Sequence, residues 1–307
     1  MVACSQRLEV VGNMRISLDR EVEICGINVF NGNRNNARII PYDGEGIVFV
    51  VKGEEIPVNL ENSFVYRPWK TLKLAQCIGL HGKKNDVKKI EHFLAALYAL
   101  KIDDALIELS DGVCPRLNFG VGGVVDAVSD KRKEKPGERN YFHINPDSDS
   151  ERKITNGRSS LTIENSDSNY IYYGIDFPHR SIGKQSYRLN LTEEVFKREI
   201  MKARGIIPLP FGSKTILKLL KPYFGVRDKN SLLIGKIKDN HFANNSFPFG
   251  VYGKSEYVRH QIMDVIGTLA LTGGYFQNTG FKFSQGDHDF ELSSIKELFK
   301  RGVFLRS

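Results

Sequence analysis

Two short patterns carry side chains that could do hydrolytic chemistry. Glu91 and His92 are adjacent, and Asp264 follows His260 by four positions. Residues four apart on a helix lie on one face about one turn apart, so His260 and Asp264 can bind the same metal ion. With His92 from elsewhere they would form a three-ligand zinc site that keeps its fourth position for water. The Glu91 carboxylate, next to His92, is placed to take a proton from that water.

Each pattern lies in a segment that the sequence predicts to be helical. Glu91 and His92 begin a helix over 89–100, whose apolar residues are arranged to bury one side. His260 and Asp264 lie on a longer helix from about 255 to 271, which Gly273 and Gly274 end.

The remaining elements indicate an α+β protein. Apolar residues alternate with polar ones in short runs separated by turn residues, which is typical of strands. Two more helices are predicted, at 192–204 and 292–301, and the first has Thr192 at its start. The predicted strands are 7–11, 22–24, 46–51, 105–109, 160–163, 170–177, 231–237 and 280–284.

A charged segment divides the chain. Residues 129–140 are dense in charges of both signs and contain Pro136 and Gly137, so we interpret them as a solvated linker rather than a nucleic-acid-binding arm. A length of 307 residues also suggests about two domains. The predicted domains are 1–128, with the Glu-His pattern, and 141–307, with the His-x3-Asp pattern and an apolar insert at about 206–238.

Net charge, apolar runs and cysteine spacing indicate which partners and which cellular compartment to expect. The net charge of +8 would suit nucleic acid, a phosphorylated small molecule or an anionic membrane face, but the charge is diffuse and no nucleic-acid-binding motif accompanies it. No apolar run approaches the roughly 18 residues of a membrane span, and the first residues lack the apolar core of a signal peptide. Four cysteines are scattered without CxxC spacing. Reduced thiols and a cytoplasmic location are therefore predicted.

The sequence around both patterns resembles the UDP-3-O-acyl-N-acetylglucosamine deacetylase family. Residues 90–104, followed by Ile107-Glu108-Leu109, resemble the first zinc motif of that family, and residues 258–267 resemble its second. Weaker similarities follow in the family's order over nearly the whole length: 26–32, 176–180, 203–204 and 286–288.

The resemblance implies a fold, a reaction and a set of roles. The fold would be two similar α+β domains with helices sandwiched between two β-sheets and the site between them. His92, His260 and Asp264 would be zinc ligands, Glu91 the general base, and His288 the group that stabilises the oxyanion and protonates the leaving amine. The substrate would be a UDP-linked acylated amino sugar of lipid A biosynthesis.

The apolar insert has two possible roles. In the family the corresponding insert forms a passage for the acyl chain of the substrate, and a substrate with such a chain is consistent with peripheral membrane contact. Alternatively, the insert completes the core of the second domain. The sequence predicts no nucleic-acid partner and leaves the oligomeric state open.

Simpler interpretations exist for each motif. Taken alone, Glu91-His92 is an ordinary helix start, and His260 with Asp264 is an ordinary polar pair on a helix. Residues 287–289 around His288 would suit a polar turn. The joint occurrence of the motifs in matching contexts favours the metal site.

Three departures from the family pattern bear on catalysis. Thr268 stands where the family has an Asp that orients the catalytic His, so a lower pKa is predicted for His288. Gln261 replaces a Lys, and Gly205 replaces a Thr. These departures support an alternative function, a catalytically weak or inactive zinc-containing homologue that binds a lipid or a nucleotide sugar.

Overall fold

The computed structural model describes residues 13–68, 76–179, 182–209, 231–237, 240–243 and 252–307. These residues form a mixed α and β structure, as predicted, with several β-sheets and few helices. No helix among them is long and apolar enough to cross a bilayer.

The described ranges contain five α-helices, two short 3-10 helices and 21 strands. The α-helices are α1 (Glu91–Ala99), α2 (Gly122–Val128), α3 (Glu193–Glu199), α4 (Glu256–Ala270) and α5 (His288–Lys300), and the 3-10 helices are Pro146–Glu151 and Gly253–Ser255. The strands before α2 are β1 (Met14–Leu18), β2 (Val22–Ile27), β3 (Arg34–Ile40), β4 (Ile47–Val51), β5 (Glu54–Pro57), β6 (Ser63–Tyr66), β7 (Cys77–His81), β8 (Asp86–Lys88) and β9 (Ala105–Leu109). The strands after α2 are β10 (Arg132–Glu138), β11 (Tyr141–Ile144), β12 (Lys153–Asn156), β13 (Ser159–Asn165), β14 (Tyr170–Phe177), β15 (Gly183–Asn190), β16 (Ile206–Leu209), β17 (Leu232–Ile237), β18 (Asn240–Ala243), β19 (Tyr275–Phe276), β20 (Thr279–Ser284) and β21 (Phe304–Arg306).

Two five-stranded sheets, one in each half of the chain, share one topology. The first has the order β2-β3-β9-β4-β5, and the second has the order β12-β13-β20-β14-β15. In each, the middle strand pairs antiparallel with one neighbour and parallel with the other, and the outer pairs are antiparallel. The halves therefore repeat the same sheet, while their division into two sandwiched domains remains a prediction.

Close packing of α1 against α4 positions the motifs. Every residue of α1 except His92 is buried, as expected of a helix that is apolar on nearly all sides. Gly267 on α4 faces the start of α1, and a Cβ atom there would overlap the backbone carbonyl of Glu91. The missing side chain lets the two helices approach, which brings His92 toward His260 and Asp264.

Several sequence predictions agree with the structure. The strands at 105–109 and 170–177 have the predicted bounds, and the predicted helices at 89–100 and 255–271 correspond to α1 and α4. Cys25, Cys77 and Cys114 are free thiols, as predicted, and Cys4 lies outside the described residues. The strand predicted at 7–11 also lies outside them.

Two helix boundaries were predicted wrongly. The helix predicted at 192–204 ends at Glu199, because the chain turns to bring Arg204 into a buried ion pair with Glu256 at the start of α4. The last helix begins at His288 instead of 292, because the Asp287 side chain accepts a hydrogen bond from the backbone N–H of Phe290 and caps it.

The segment at 129–140 contains a strand. Arg132–Glu138 forms β10 and pairs antiparallel with β1, although most of its side chains are exposed. Its charges have partners elsewhere: Arg132 pairs with Glu193 at 2.7 Å and Lys135 with Asp104 at 3.2 Å. The exposed side chains agree with the prediction of a solvated segment, and the linker and the domain boundaries at 128 and 141 remain predictions.

Candidate metal centre

Helices α1 and α4 bring three predicted metal ligands together. His92 Nε2 lies 3.1 Å from Asp264 Oδ1, and His260 Nε2 lies 3.5 Å from Asp264 Oδ2. The two imidazole rings meet edge to face, with their centroids 4.8 Å apart. One ligand atom from each residue lies within 4.8 Å of the others, so the three could hold a single metal ion.

The candidate ligand atoms have properties that suit a divalent metal. His92 Nε2 and Asp264 Oδ1 lie 3.1 Å apart, but these buried atoms make no hydrogen bond with each other or with any other described residue, although a buried polar atom normally has a partner. His260 Nδ1 lies 3.2 Å from the Ala203 carbonyl. A proton on Nδ1 is donated to that carbonyl, which leaves the Nε2 lone pair facing Asp264.

Burial and charge set the ionisation of the three candidate ligands. Burial lowers the pKa of His260 to about 4, and burial together with the Lys89 ammonium lowers the pKa of His92. Both rings are therefore neutral near pH 7, as metal ligation requires. Burial alone would raise the pKa of Asp264, but the neighbouring His260 and His288 rings, which are both cations below pH 4, outweigh it and lower that pKa, so Asp264 is a carboxylate.

Two of the departures from the family pattern contact the ligands. A Cβ atom at Gly205 would lie 2.8 Å from His260 Nε2, so any side chain there would crowd the atom that faces the other ligands. The Gln261 side-chain amide donates a hydrogen bond to Asp264 Oδ2 at 3.3 Å.

Glu91 is a buried carboxylate held on both of its oxygens. Lys89 Nζ lies 2.7 Å from Oε1, and the backbone N–H of Ile78 donates to Oε2 at 3.0 Å. Burial alone would raise the pKa of Glu91, but Lys89, His92 and His288 together outweigh it, so the pKa is lowered. Lys89 has a φ of +65°, which is uncommon for a residue with a side chain. No spacing in the sequence predicted a role for this lysine.

His288 begins α5 and faces the same centre. Its Nε2 lies 3.9 Å from Asp264 Oδ2, and its Nδ1 lies 3.5 Å from Glu291 Oε2. Burial lowers the pKa of His288, but the Asp264 and Glu291 carboxylates outweigh it and raise the pKa to about 9. Near pH 7 the ring is a cation.

The predicted low pKa of His288 is therefore wrong. Thr268 does stand in place of a carboxylate, and its hydroxyl donates to the Asp264 backbone carbonyl at 3.0 Å. Glu291, one turn after His288, supplies a different carboxylate. Burial raises the pKa of Glu291, and His288 and the Tyr173 hydroxyl counteract this in part.

Glu291 was missed because the helix boundary was misplaced. The last helix was predicted to begin at 292, so both His288 and Glu291 fell outside it. Their spacing of three residues therefore gave no reason to place them on one helix face. Asp287 followed by acidic residues in the next turn is a helix-start signal, and it would have placed Glu291 on the same face as His288.

Comparisons with known proteins match this chain to one family over most of its length. The sequence profile of the family described as "LpxC: UDP-3-O-acyl N-acetylglycosamine deacetylase" matches residues 15–300. A UDP-3-O-acyl-N-acetylglucosamine deacetylase from Nautilia profundicola is 27% identical over 293 residues, which cover 94% of this chain and 92% of that protein. The protein of the same name from Wolinella succinogenes is 27% identical over 288 residues (92% and 90%). The one from Aliarcobacter butzleri is 28% identical over 256 residues (83% and 80%).

Proposed function

Since this chain belongs to the UDP-3-O-acyl N-acetylglycosamine deacetylase family, we infer that it catalyses hydrolysis of the N-acetyl group of UDP-3-O-acyl-N-acetylglucosamine in lipid A biosynthesis. Zinc dependence and the roles of individual residues are our proposals. They are supported mainly by the convergence of His92, His260 and Asp264, two of which present buried atoms without a hydrogen-bond partner among the described residues.

These three residues would hold zinc. A zinc ion bound there would supply Lewis-acid polarisation of the amide carbonyl and would acidify water. Three protein ligands are typical of catalytic zinc, and the mixture of two imidazoles and one carboxylate suits that metal.

Glu91 and His288 would move the protons. Glu91 accepts a proton from the attacking water, a role open to it because its lowered pKa leaves it ionised near pH 7. The cationic His288 stabilises the negative charge that develops on the carbonyl oxygen and then protonates the amide nitrogen as the C–N bond breaks. The products are acetate and the free amine of the sugar.

The acyl chain of the substrate would bind along the apolar insert at 206–238. Burial contributes about 0.8 kcal/mol per methylene, so a dry passage would supply much of the affinity for the substrate. In that insert β16 and β17 pair in parallel, while residues 210–230 and 238 lie outside the described residues. The passage, peripheral contact with a membrane and a cytoplasmic location remain predictions.

One observation favours the alternative, a zinc-containing homologue that binds the sugar nucleotide or lipid but turns over weakly. Lys89 holds the Glu91 carboxylate in a buried ion pair, and a carboxylate with a lowered pKa is a weaker base. The intact set of Glu91, His288 and three ligand residues favours the enzyme instead.

A metal analysis joined to an activity assay distinguishes the two functions. Purified protein is reconstituted with zinc and incubated with UDP-3-O-acyl-N-acetylglucosamine, and the released acetate is measured. The enzyme predicts bound zinc and acetate release that depends on Glu91. Bound zinc with substrate binding but no acetate release would support the alternative.

A further inference from the structure

Glu291 is a buried carboxylate that the proposed chemistry does not yet use. Its side chain is fully buried on α5, three residues after His288. Its Oε1 accepts a hydrogen bond from the Tyr173 hydroxyl at 2.6 Å. Its Oε2 has no hydrogen-bond partner among the described residues.

The unpartnered oxygen faces an unpartnered nitrogen. His288 Nδ1 is also buried without a hydrogen-bond partner in the described part of the chain, and it lies 3.5 Å from Glu291 Oε2. An unsatisfied buried polar atom is costly, and a small rotation of either side chain would satisfy both atoms at once. Hydrogen bonds at catalytic sites are often long in the absence of substrate and tighten when it binds.

The surroundings fix Glu291 in place. Tyr173 lies on β14, which pairs in parallel with β20, the strand that leads into the turn before α5. Gly286 in that turn leaves the space that Tyr173 and Glu291 fill, since a Cβ atom there would lie 2.8 Å from the Tyr173 hydroxyl and 3.6 Å from Glu291 Cγ. The second sheet and α5 therefore hold the carboxylate from two sides.

We propose that Glu291 is the positioning residue for His288: it accepts the Nδ1–H hydrogen bond and thereby directs Nε2 toward Asp264 and the reacting atoms. The inference rests on the proposed role of His288 in deacetylation. A histidine fixed at one ring nitrogen presents the other nitrogen in a defined direction and tautomer. Tyr173 acts indirectly, because its hydroxyl donates a hydrogen bond to the Glu291 carboxylate and so holds it in place.

Kinetics of the zinc-loaded protein provide the first test. Glu291→Gln keeps the shape but loses the charge, and we expect kcat to fall about 10- to 100-fold, the usual cost of losing an outer partner of a functional histidine. KM should stay within about twofold, because the lost interaction acts in the transition state. Tyr173→Phe should lower kcat less, and the double variant should be no slower than Glu291→Gln, because both act through one ring.

Glu297→Gln is the matched control. It makes the same chemical change on the same helix, at a residue that pairs with Arg301 away from the site. It should leave kcat and zinc content unchanged. If kcat fell as much in Glu297→Gln as in Glu291→Gln, loss of any negative charge on α5 would lower activity. That result would overturn the proposal.

The histidine ring itself provides a second readout. In zinc-loaded protein labelled with ¹⁵N-histidine, the His288 ring signals are those absent from His288→Ala. We expect a hydrogen-bonded Nδ1–H proton in the wild type and in Glu297→Gln, a weaker hydrogen bond and hence a shifted signal in Glu291→Gln, whose amide oxygen still accepts but carries no charge, and a smaller shift in Tyr173→Phe. If Glu291→Gln does not fold, Tyr173→Phe decides the matter: an unshifted proton there overturns the proposal.

The deacetylase activity and the positioning role of Glu291 are tested by separate outcomes. If the zinc-loaded wild type releases no acetate, the proposed function fails, while the Nδ1–H signal still decides whether Glu291 binds the ring. If the wild type is active and His288→Ala is not, but Glu291→Gln retains the wild-type kcat and ring signal, the positioning role is wrong and the function stands.

Discussion

The close approach of α1 and α4 gives a direct prediction for Gly267→Ala. The added Cβ atom would lie 2.7 Å from the Glu91 carbonyl carbon and 2.8 Å from its Cα, distances that real Cβ atoms essentially never show. The Glu91 carbonyl oxygen would be closer still, so restoring an ordinary contact of about 3.5 Å requires the helices to separate locally by at least roughly 0.8 Å, the shortfall at the carbonyl carbon. Overpacking of this kind typically costs about 1–3 kcal/mol of stability.

The same displacement should weaken metal binding. His92 lies on α1, and the other two proposed ligands lie on α4, so separating the helices changes the spacing of the ligand set. Metal–ligand distances tolerate deviations of about 0.2 Å, which is several times smaller than the displacement. We therefore expect Gly267→Ala to lose stability and zinc affinity together.

Chemical denaturation and a zinc competition titration measure the two effects. Gly122→Ala on α2 is the control, because an added Cβ there would meet its nearest atom only at 3.8 Å. In a helix, alanine is favoured over glycine by about 0.5–1 kcal/mol, so the control should be as stable as the wild type or more so. Wild-type stability and zinc affinity in Gly267→Ala would refute the argument that helix spacing sets the site.

Three further predictions concern the proton-transfer groups. Glu91→Gln should keep zinc near the wild-type content while lowering turnover about 10²-fold or more, and loss of zinc instead would make Glu91 a ligand. Lys89→Met should raise the pKa of Glu91 by removing the adjacent positive charge, so the acidic limb of the kcat/KM profile should move to higher pH; an unmoved limb would mean that Glu91 is not the base. The pKa of His288 is raised to about 9 in the folded state, from about 6.5 in the unfolded chain. The charged ring therefore adds its full free energy of stabilisation below about pH 6.5, and this contribution is lost as the pH rises through 9. In metal-free protein, urea unfolding should therefore show His288→Ala less stable than the wild type at pH 6 with the gap narrowing by pH 10, and a constant gap would contradict the charge assignment.

Sequence spacing was sufficient for the parts of the site that depend on local geometry. His260 and Asp264 lie on one helix, so their shared face follows from helical periodicity. Their contact with His92 required two helices to meet. From the sequence, this contact between helices could be predicted only through the family resemblance. Gly267 is the residue that lets the two helices come close.

The electrostatic environment depended on tertiary contacts that no spacing reveals. Lys89, which has a positive φ, pairs with one oxygen of Glu91, and the Ile78 N–H of β7 donates to the other oxygen. The ionisation of His288 depends on Asp264 and on Glu291, and a misplaced helix start concealed the second of these carboxylates. The substitution at Thr268 therefore suggested a weakened acid, while the fold supplies the carboxylate from another position.

The most direct test of the metal-dependent deacetylase compares zinc content and acetate release in the wild type, His260→Ala and His81→Ala. His81 is an exposed histidine that pairs with Asp86, so it controls for the loss of an imidazole. We predict about one zinc per chain and acetate release from UDP-3-O-acyl-N-acetylglucosamine in the wild type and His81→Ala, with both lost in His260→Ala. Wild-type protein that holds no stoichiometric zinc after reconstitution, or His260→Ala that keeps its zinc and its activity, would contradict the assignment.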